Sequence, residues 1–248
     1  MKLSVIIPCK NEAGTVEKLL DSILKQTRHP DEIIVIDSHS TDTTVAAVNS
    51  YTSRLPIRVV TAQKQGVTHA RNEGAEAANG DLLLFIDADV QLAPNLIEKL
   101  FKSAKKGVEA GGFSQRMDAE TMHLRVGSRF MNGYVRTMSL TPWPIFFSCF
   151  FVTKKLHDEL HGFDPNIWIM EDYDYAYRAR KRGARFRIVP GTYFVSSARR
   201  FEEGEGHSIL KAIYAEAYRY THGMKITNPL YDYSMGDHAK EKRKESKR

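Results

Sequence analysis

Two carboxylates stand one residue apart at the end of an unbroken apolar run, Asp81-Leu82-Leu83-Leu84-Phe85-Ile86-Asp87-Ala88-Asp89. A run this short and continuous suits a strand buried on both faces. Asn79-Gly80 turns the chain before it, and Pro94 suits a helix start after it. Side chains alternate along a strand, so Asp87 and Asp89 point the same way. Ligands bind at the carboxyl ends of strands in open α/β sheets. There the pair can face one hard, oxygen-preferring cation, or one acid can hold the cation and the other a sugar hydroxyl. A solvated strand end with two acids would have the same local sequence, so the weight falls on the residues around it.

Three further acids sit at element ends. Asp37 closes the apolar run Ile33-Ile34-Val35-Ile36, and Glu171-Asp172 opens a helix that Gly183 stops. Asp172 lies at the N-terminal end of that helix, where an anion is favoured. Taken singly, Asp37 could be a strand-end turn residue and Asp172 a helix cap.

The elements that must position these acids alternate. Leu3 to Pro8 reads as a strand ended by Pro8, and Thr15 as the cap of a helix to Gln26. Strand Glu32 to Asp37, helix Thr43 to Tyr51, strand Ile57 to Ala62 and helix Thr68 to Ala78 follow, then the strand Asp81 to Asp87 and a helix from Pro94 to Lys106. This pattern predicts an α/β fold, a mostly parallel twisted sheet with helices on both faces. Beyond it come a strand over 109–115, a helix from Thr121 to Thr137 bearing Arg125, Arg129 and Arg136, and a short helix from Lys154 to Leu160. The aromatic stretch from Trp143 to Phe151 is core or an apolar acceptor wall, core being the simpler reading. Arg185 to Val189 and Thr192 to Ser196 read as a strand pair around Pro190-Gly191, and Ser208 to Thr221 as a last amphipathic helix. The expected organisation is one domain over 1–238, with a regular, ligand-binding half at 1–115, a less regular half at 116–238 and a basic, disordered tail at 239–248.

Composition narrows the function classes. The 248 residues are 42% hydrophobic and 27% charged, ample for a core. Cys9 and Cys149 are the only cysteines, which leaves no disulfide framework and favours a reducing, cytoplasmic setting. The sequence begins at once with a strand-like run, and no leader peptide is expected. The apolar region Leu140 to Val152, broken by Pro142 and Pro144, is short of the roughly 20 residues that span a bilayer. Of the net charge of +6, +4 falls in residues 240–248. That tail suits solvent, or a peripheral contact with an anionic membrane at its inner face. The body has no helix-turn-helix pattern, zinc spacing or aromatic-basic platform, so no nucleic-acid partner is expected. Cys9-Lys10-Asn11-Glu12-Ala13-Gly14 matches neither the dinucleotide fingerprint nor the Walker loop.

Six pieces now stand in one order. They are Pro-Cys-Lys-Asn-Glu at 8–12, Val-Ile-Asp-Ser-His-Ser-Thr-Asp at 35–42, Gly-Val-Thr-His-Ala-Arg-Asn-Glu-Gly at 66–74, Phe-Ile-Asp-Ala-Asp at 85–89, Gly-Phe-Asp at 162–164, and Glu-Asp-Tyr-Asp at 171–174. Over residues 3 to 200 the chain resembles family 2 glycosyltransferases of the GT-A fold. The resemblance implies a nucleoside-diphosphate sugar donor, a divalent cation (Mg or Mn) and inversion at the anomeric carbon. It also implies roles. Pro8 and Glu12 match positions at the nucleotide-binding edge, Asp37 the carboxylate that reads the nucleobase, and Arg71 a basic residue near base and phosphates. Asp87 matches the carboxylate near the ribose, Asp89 the metal ligand, and Asp172, beside Glu171, the general base. Those roles suit the chemistry. Bond cleavage leaves negative charge on the diphosphate, which a cation neutralises, and the acceptor hydroxyl needs a base to take its proton.

The sequence departs from the pattern at Ser38-His39, where the family often has Asp-Gly, so the base contacts and the nucleobase are left open. Ser197-Ala198-Arg199-Arg200-Phe201 resembles a segment in which basic residues face the diphosphate, or is a basic surface loop. His207 is a candidate further metal ligand, or a structural histidine. The acceptor, whether glycan, lipid-linked or small molecule, is unassigned. A binding protein of the same fold without catalysis is the alternative, and the survival of the carboxylates favours the enzyme.

Overall fold

Leu3, Val5 and Ile7 point to one side of the first strand and Ile6 to the other, and all four are fully buried. Helices must therefore cover both faces of the sheet. The computed structural model describes residues 1–118, 122–167, 169–197, 214, 218 and 225–227. Through the first half β1 (Leu3–Cys9), α1 (Val16–Leu24), β2 (Glu32–Asp37), α2 (Thr44–Asn49), β3 (Ile57–Thr61), α3 (Val67–Ala77) and β4 (Leu82–Ile86) alternate. Then come β5 (Val90–Leu92), α4 (Leu96–Ala104), β6 (Ala110–Asp118), α5 (Met122–Met138), β7 (Cys149–Thr153), α6 (Lys154–Glu159), α7 (Glu171–Lys181) and β8 (Phe186–Ser197).

The eight strands form one sheet in the order β3-β2-β1-β4-β7-β6-β8-β5. β1 runs parallel to both β2 and β4, β2 parallel to β3, and β6 parallel to β8. β7 enters antiparallel between β4 and β6, and β5 lies antiparallel on β8. The chain winds outward from β1 to β3, then crosses back to lay β4 on the other side of β1. A ligand crevice opens at such a reversal, outside the carboxyl ends of the strands.

Alternation assigns the two cores. Leu3, Val5, Ile7, Leu82 and Leu84 pack with Val16, Leu19 and Ile23 of α1 and with Leu96 and Leu100 of α4. Ile6, Ile34, Leu83 and Phe85 pack with Ala70 and Ala75 of α3, Leu156 of α6 and Tyr175, Ala176 and Ala179 of α7. Among the described residues no helix is long and apolar enough to cross a membrane.

Four local expectations change. β1 does not end at Pro8 but runs through it to Cys9. Leu3 and Cys9 turn their backbone groups to β2, so position 8 faces the β4 side, where pairing has stopped at Ile6 and a missing N–H is tolerated. The Thr15 side chain does not cap α1; its hydroxyl donates to the Glu12 carbonyl and carboxylate instead. The segments around Pro190-Gly191 do not pair with each other. Both lie parallel to β6, with a register shift that lets Pro190 to Thr192 bulge between Val189 and Tyr193. The 143–151 stretch is core from Ile145 onward, while Trp143 is exposed. The expected helix from Ser208 and the basic tail lie outside the described residues.

α3 approaches β1 closely because position 74 is glycine. A Cβ there would stand 2.4 Å from Ile6 Cγ2 and 3.3 Å from Ile36 Cγ1. Gly74→Ala should overpack this contact and destabilise the fold by about 1–3 kcal/mol. Urea unfolding should show a lower midpoint at unchanged slope; an unchanged midpoint would mean that α3 has room to spare over β1.

Candidate active site

Three loops meet at the carboxyl ends of β1, β2 and β4. The first two are stitched together by polar side chains. The Asn11 N–H donates to Ser40 Oγ (3.0 Å), the Glu12 N–H to Thr44 Oγ1 (2.8 Å), and the Thr41 N–H to Asn11 Oδ1 (2.8 Å). Asn11 and His39 both take positive φ, 53° and 59°, which lets each loop fold back on its strand. His39 thus adopts the backbone conformation a glycine favours. Asp37 is buried at the end of β2, and both its carboxylate oxygens accept the Ser40 N–H (3.2 and 3.3 Å). Cys9 lies beneath these loops. Burial, then the charges of Glu12, Asp37, Asp87 and Asp42, push its thiol pKa up, so it stays protonated. Glu12, Asp37 and Asp87 therefore share one electrostatic neighbourhood at the crevice.

The crevice is tied to the second half by one guanidinium. Arg71, buried on α3, donates from Nη2 to Asp87 Oδ1 (3.0 Å) and from Nη1 to Glu171 Oε1 (2.6 Å). Burial alone would depress its pKa, but Asp87, Glu171 and Asp172 more than offset this and hold it above the usual arginine value. Asn72, next along α3, exchanges hydrogen bonds with the backbone of Phe163: Oδ1 accepts its N–H (2.8 Å) and Nδ2 donates to its carbonyl (2.9 Å). Gly162 is required beside it, because its φ is +71° and a Cβ would meet Asn72 Oδ1 at 2.6 Å. Arg178 completes the clamp, bonding Asp174 (2.6 Å) and the carbonyls of Leu160 (2.8 Å) and Gly162 (3.0 Å).

α7 begins after Met170, which takes a left-handed φ of 62°, and carries Glu171, Asp172 and Asp174 in its first turn. Their environments divide them. Glu171 accepts from Arg71, and buried Asp174 from Arg178. Among the described residues Asp172 has no direct cation; its Oδ1 accepts the Tyr173 N–H (3.0 Å). Burial, then the Glu171 charge, raise its pKa, Arg71 opposes them, and Asp87 adds to the rise, so the carboxyl is pushed up to about 7. A carboxyl poised there exchanges a proton near neutral pH.

The structure gathers Pro8, Glu12 and Asp37 at one edge of the crevice, Asp87 and Asp89 at the end of β4, and Arg71, Glu171 and Asp172 behind them. Arg71 stands at the crevice with Nη2 on Asp87 and Nη1 on Glu171. Arg199, Arg200 and His207 lie outside the described residues. Asn72 and Gly162 went unread as site residues, although each stands inside a quoted motif. Among the described residues no group of three His, Cys, Asp or Glu side chains could hold a metal alone. The half-buried Asp89 and the half-exposed Asp87 offer oxygen only. That donor set fits Mg2+ or Mn2+, which take their remaining ligands from substrate phosphates and water.

Comparison with known proteins gives the family and the fold. The family model "Glycosyl transferase family 2" matches residues 4–160. An uncharacterized glycosyltransferase of Bacillus subtilis, YwdF, is 30% identical over 200 residues, which cover 77% of this chain and 72% of that protein. The dolichol-phosphate mannosyltransferase of Pyrococcus furiosus is 31% identical over 150 residues (59% of this chain, 37% of that one). The validoxylamine A glucosyltransferase of Streptomyces hygroscopicus subsp. limoneus is 29% identical over 218 residues (73% and 48%). The chain thus spans half or less of the length of these last two relatives. Among solved structures, the Pyrobaculum calidifontis mannosyltransferase PcManGT, in complex with GDP-Man and Mn2+, superposes with a TM-score of 0.65 at 26% identity, covering 79% of this chain and 56% of that one. S. aureus TarS 1–349 with UDP matches in fold, with a TM-score of 0.63 at 20% identity over 82% and 63% of the two chains. These likenesses bear out the GT-A architecture read from the sequence.

The raised Asp172 pKa has a stability consequence. The folded chain holds this proton up to about pH 7, whereas the unfolded carboxyl releases it near its ordinary value of 3.8. In that window the folded state binds more protons, so this group's contribution to stability falls as pH rises. Asp172→Asn removes the titration. Chemical denaturation should find the variant more stable than the parent at pH 8, with the gap closing as the pH approaches 4; a variant less stable at pH 8 would contradict the shift.

Proposed function

This chain belongs to glycosyl transferase family 2, and on that footing we propose that it moves a sugar from a nucleoside-diphosphate sugar to an acceptor hydroxyl by a single, inverting displacement. The observation that carries the reading is the Arg71 bridge, which holds the donor-side carboxylate Asp87 and the α7 carboxylate Glu171 on one guanidinium, with Asp172 beside them. A donor site and a proton acceptor are thereby fixed in one frame.

In this reading Pro8, Glu12 and Asp37 line the nucleotide-binding edge. An ionised Asp37 accepts an N–H of the base, and the Ser40 N–H keeps its carboxylate oriented. Asp87 takes the ribose while Arg71 holds its other side. Asp89 would hold the divalent cation. Bound there with the donor phosphates, the cation would supply Lewis-acid neutralisation of the leaving diphosphate. β8 ends at this point, the Ser197 N–H donating to the Asp89 carbonyl (3.3 Å). The resemblance gives Arg199 and Arg200 a role facing the diphosphate, and His207 stands as a candidate further ligand. Asp172 takes the proton of the acceptor hydroxyl as that oxygen attacks the anomeric carbon, and the diphosphate leaves on the opposite face. Arg71 acts as a positioning residue: it fixes Asp87 and Glu171 and limits the rise of the Asp172 pKa.

Calorimetry with nucleoside diphosphates and their sugars, with and without Mn2+, combined with donor turnover, separates the roles. Asp89→Asn should lose the Mn2+-dependent part of donor affinity and its activity. Asp37→Asn should weaken the nucleotide first. Asp172→Asn should bind the donor nearly as the parent does, yet lose about a hundredfold or more in transfer, the scale of a lost general base. Normal turnover of Asp89→Asn at limiting Mn2+, or loss of donor binding in Asp172→Asn, would overturn the assignment.

A further inference from the structure

α5 carries two stripes to which the proposed sugar transfer assigns no role. Met122, Val126, Phe130 and Tyr134 recur at every fourth position, so they stack along one side of the helix. Met122 is 72% and Phe130 74% exposed, and Val126, Met131 and Tyr134 are exposed with them. Leu140, 85% exposed, and Trp143 continue the apolar residues beyond the helix end. Gly127 and Gly133 face open space, since a Cβ on either would meet nothing within 4 Å. The helix cannot simply roll to hide this face. Ser128 and Val135 are buried on its other side, and Asn132 is locked to the Gln115 backbone, accepting its N–H (2.7 Å) and donating to its carbonyl (2.6 Å).

The second stripe is basic. Arg125 and Arg129 are four residues apart and Arg136 seven further on, so all three run along one flank of the apolar row. α5 contains no acidic residue. Beneath this flank an open groove of about 840 Å³ lies between α5, β6 and the β8 bulge, lined by Arg116, Arg125 and Arg129 together with Gln115, Asn132 and Tyr193, and, among the described residues, by no acid. Arg116 is held there over the Tyr193 ring, 3.5 Å from its centroid.

A long apolar row with arginines on one flank and no acid suits an anionic interface. We propose that α5 docks this chain on the surface of an anionic phospholipid bilayer. The apolar row enters the headgroup–acyl boundary, Arg125, Arg129 and Arg136 meet lipid phosphates, and the arginine-lined groove receives a headgroup phosphate. A second copy of the chain is a poorer occupant, because a two-fold contact across α5 would bring like-charged arginine rows together. The inference does not rest on the sugar-transfer reading.

The test is co-sedimentation of the full chain with vesicles of phosphatidylcholine alone or mixed with phosphatidylglycerol, at low and high salt. Binding should require the anionic lipid and weaken with salt. Each arginine near such a surface is worth roughly fivefold in partitioning, so Arg125→Glu with Arg129→Glu should lower it by at least about 25-fold. Phe130→Asp should lower it about tenfold or more, and Phe130→Leu should retain it. These positions are exposed, and unchanged circular dichroism and unfolding midpoint would establish that the variants fold. Deleting residues 240–248 should leave the α5-dependent binding in place. The proposal is overturned if the parent ignores anionic vesicles, if the tail deletion abolishes binding that the α5 variants keep, or if α5 proves to be a self-interface, with a parent dimer that Phe130→Asp disperses.

Discussion

One buried guanidinium fixes the geometry on which the site depends. Arg71 contacts Asp87, sixteen residues along the chain, and Glu171, a hundred residues along it. A buried charge without partners is strongly unfavourable, and breaking such a pair from one side typically costs about 3–5 kcal/mol. α3 is therefore held to the end of β4 and to the start of α7 at once. Asn72 repeats the tie at the next residue by taking both backbone groups of Phe163. Gly74 brings the same helix against Ile6 and Ile36. Three neighbouring residues of α3 thus tie the helix to β4, to α7 and the Phe163 backbone, and to β1 and β2.

The same bridge governs the charges. Three carboxylates, Asp87, Glu171 and Asp172, gather around one cation. Two of them hydrogen-bond it, and the third feels their negative charge in a poorly solvated place. The result is one acid whose proton affinity lies near neutrality beside two held by the cation. Pairs of acids with environments that differ in this way are how a fold assigns proton acceptor and electrostatic partner from identical chemical groups.

Much of this was legible in the sequence where the signal is local. The apolar run ending at Asp87 and Asp89, the alternation of strands and helices, and the order of the short motifs all report on neighbours a few residues apart. The sequence failed where the physics is long-range. The partners of Arg71 lie on different elements, so its ion pairs with Asp87 and Glu171 leave no signal in the local sequence. Pro190-Gly191 looked like a turn between paired strands, but both segments found β6 as their partner and the turn residues became a bulge. β5 is three residues long and exists because β8 passes beside it, a fact that no local pattern encodes. Within α5 the arginines were visible and the apolar row was not, because only packing against β6 decides which face of the helix stays outside.

The most direct measurement is the titration of the Asp172 side chain itself, by carbon-13 NMR of aspartate-labelled protein assigned through Asp172→Asn. The expected result is a carboxyl that titrates near 7 and moves down in Glu171→Gln, because the neighbouring negative charge that raises it has been removed. An Asp172 that titrates near the ordinary 3.8, or that is indifferent to Glu171, would contradict the claim that the Arg71-centred charge cluster sets the proton acceptor.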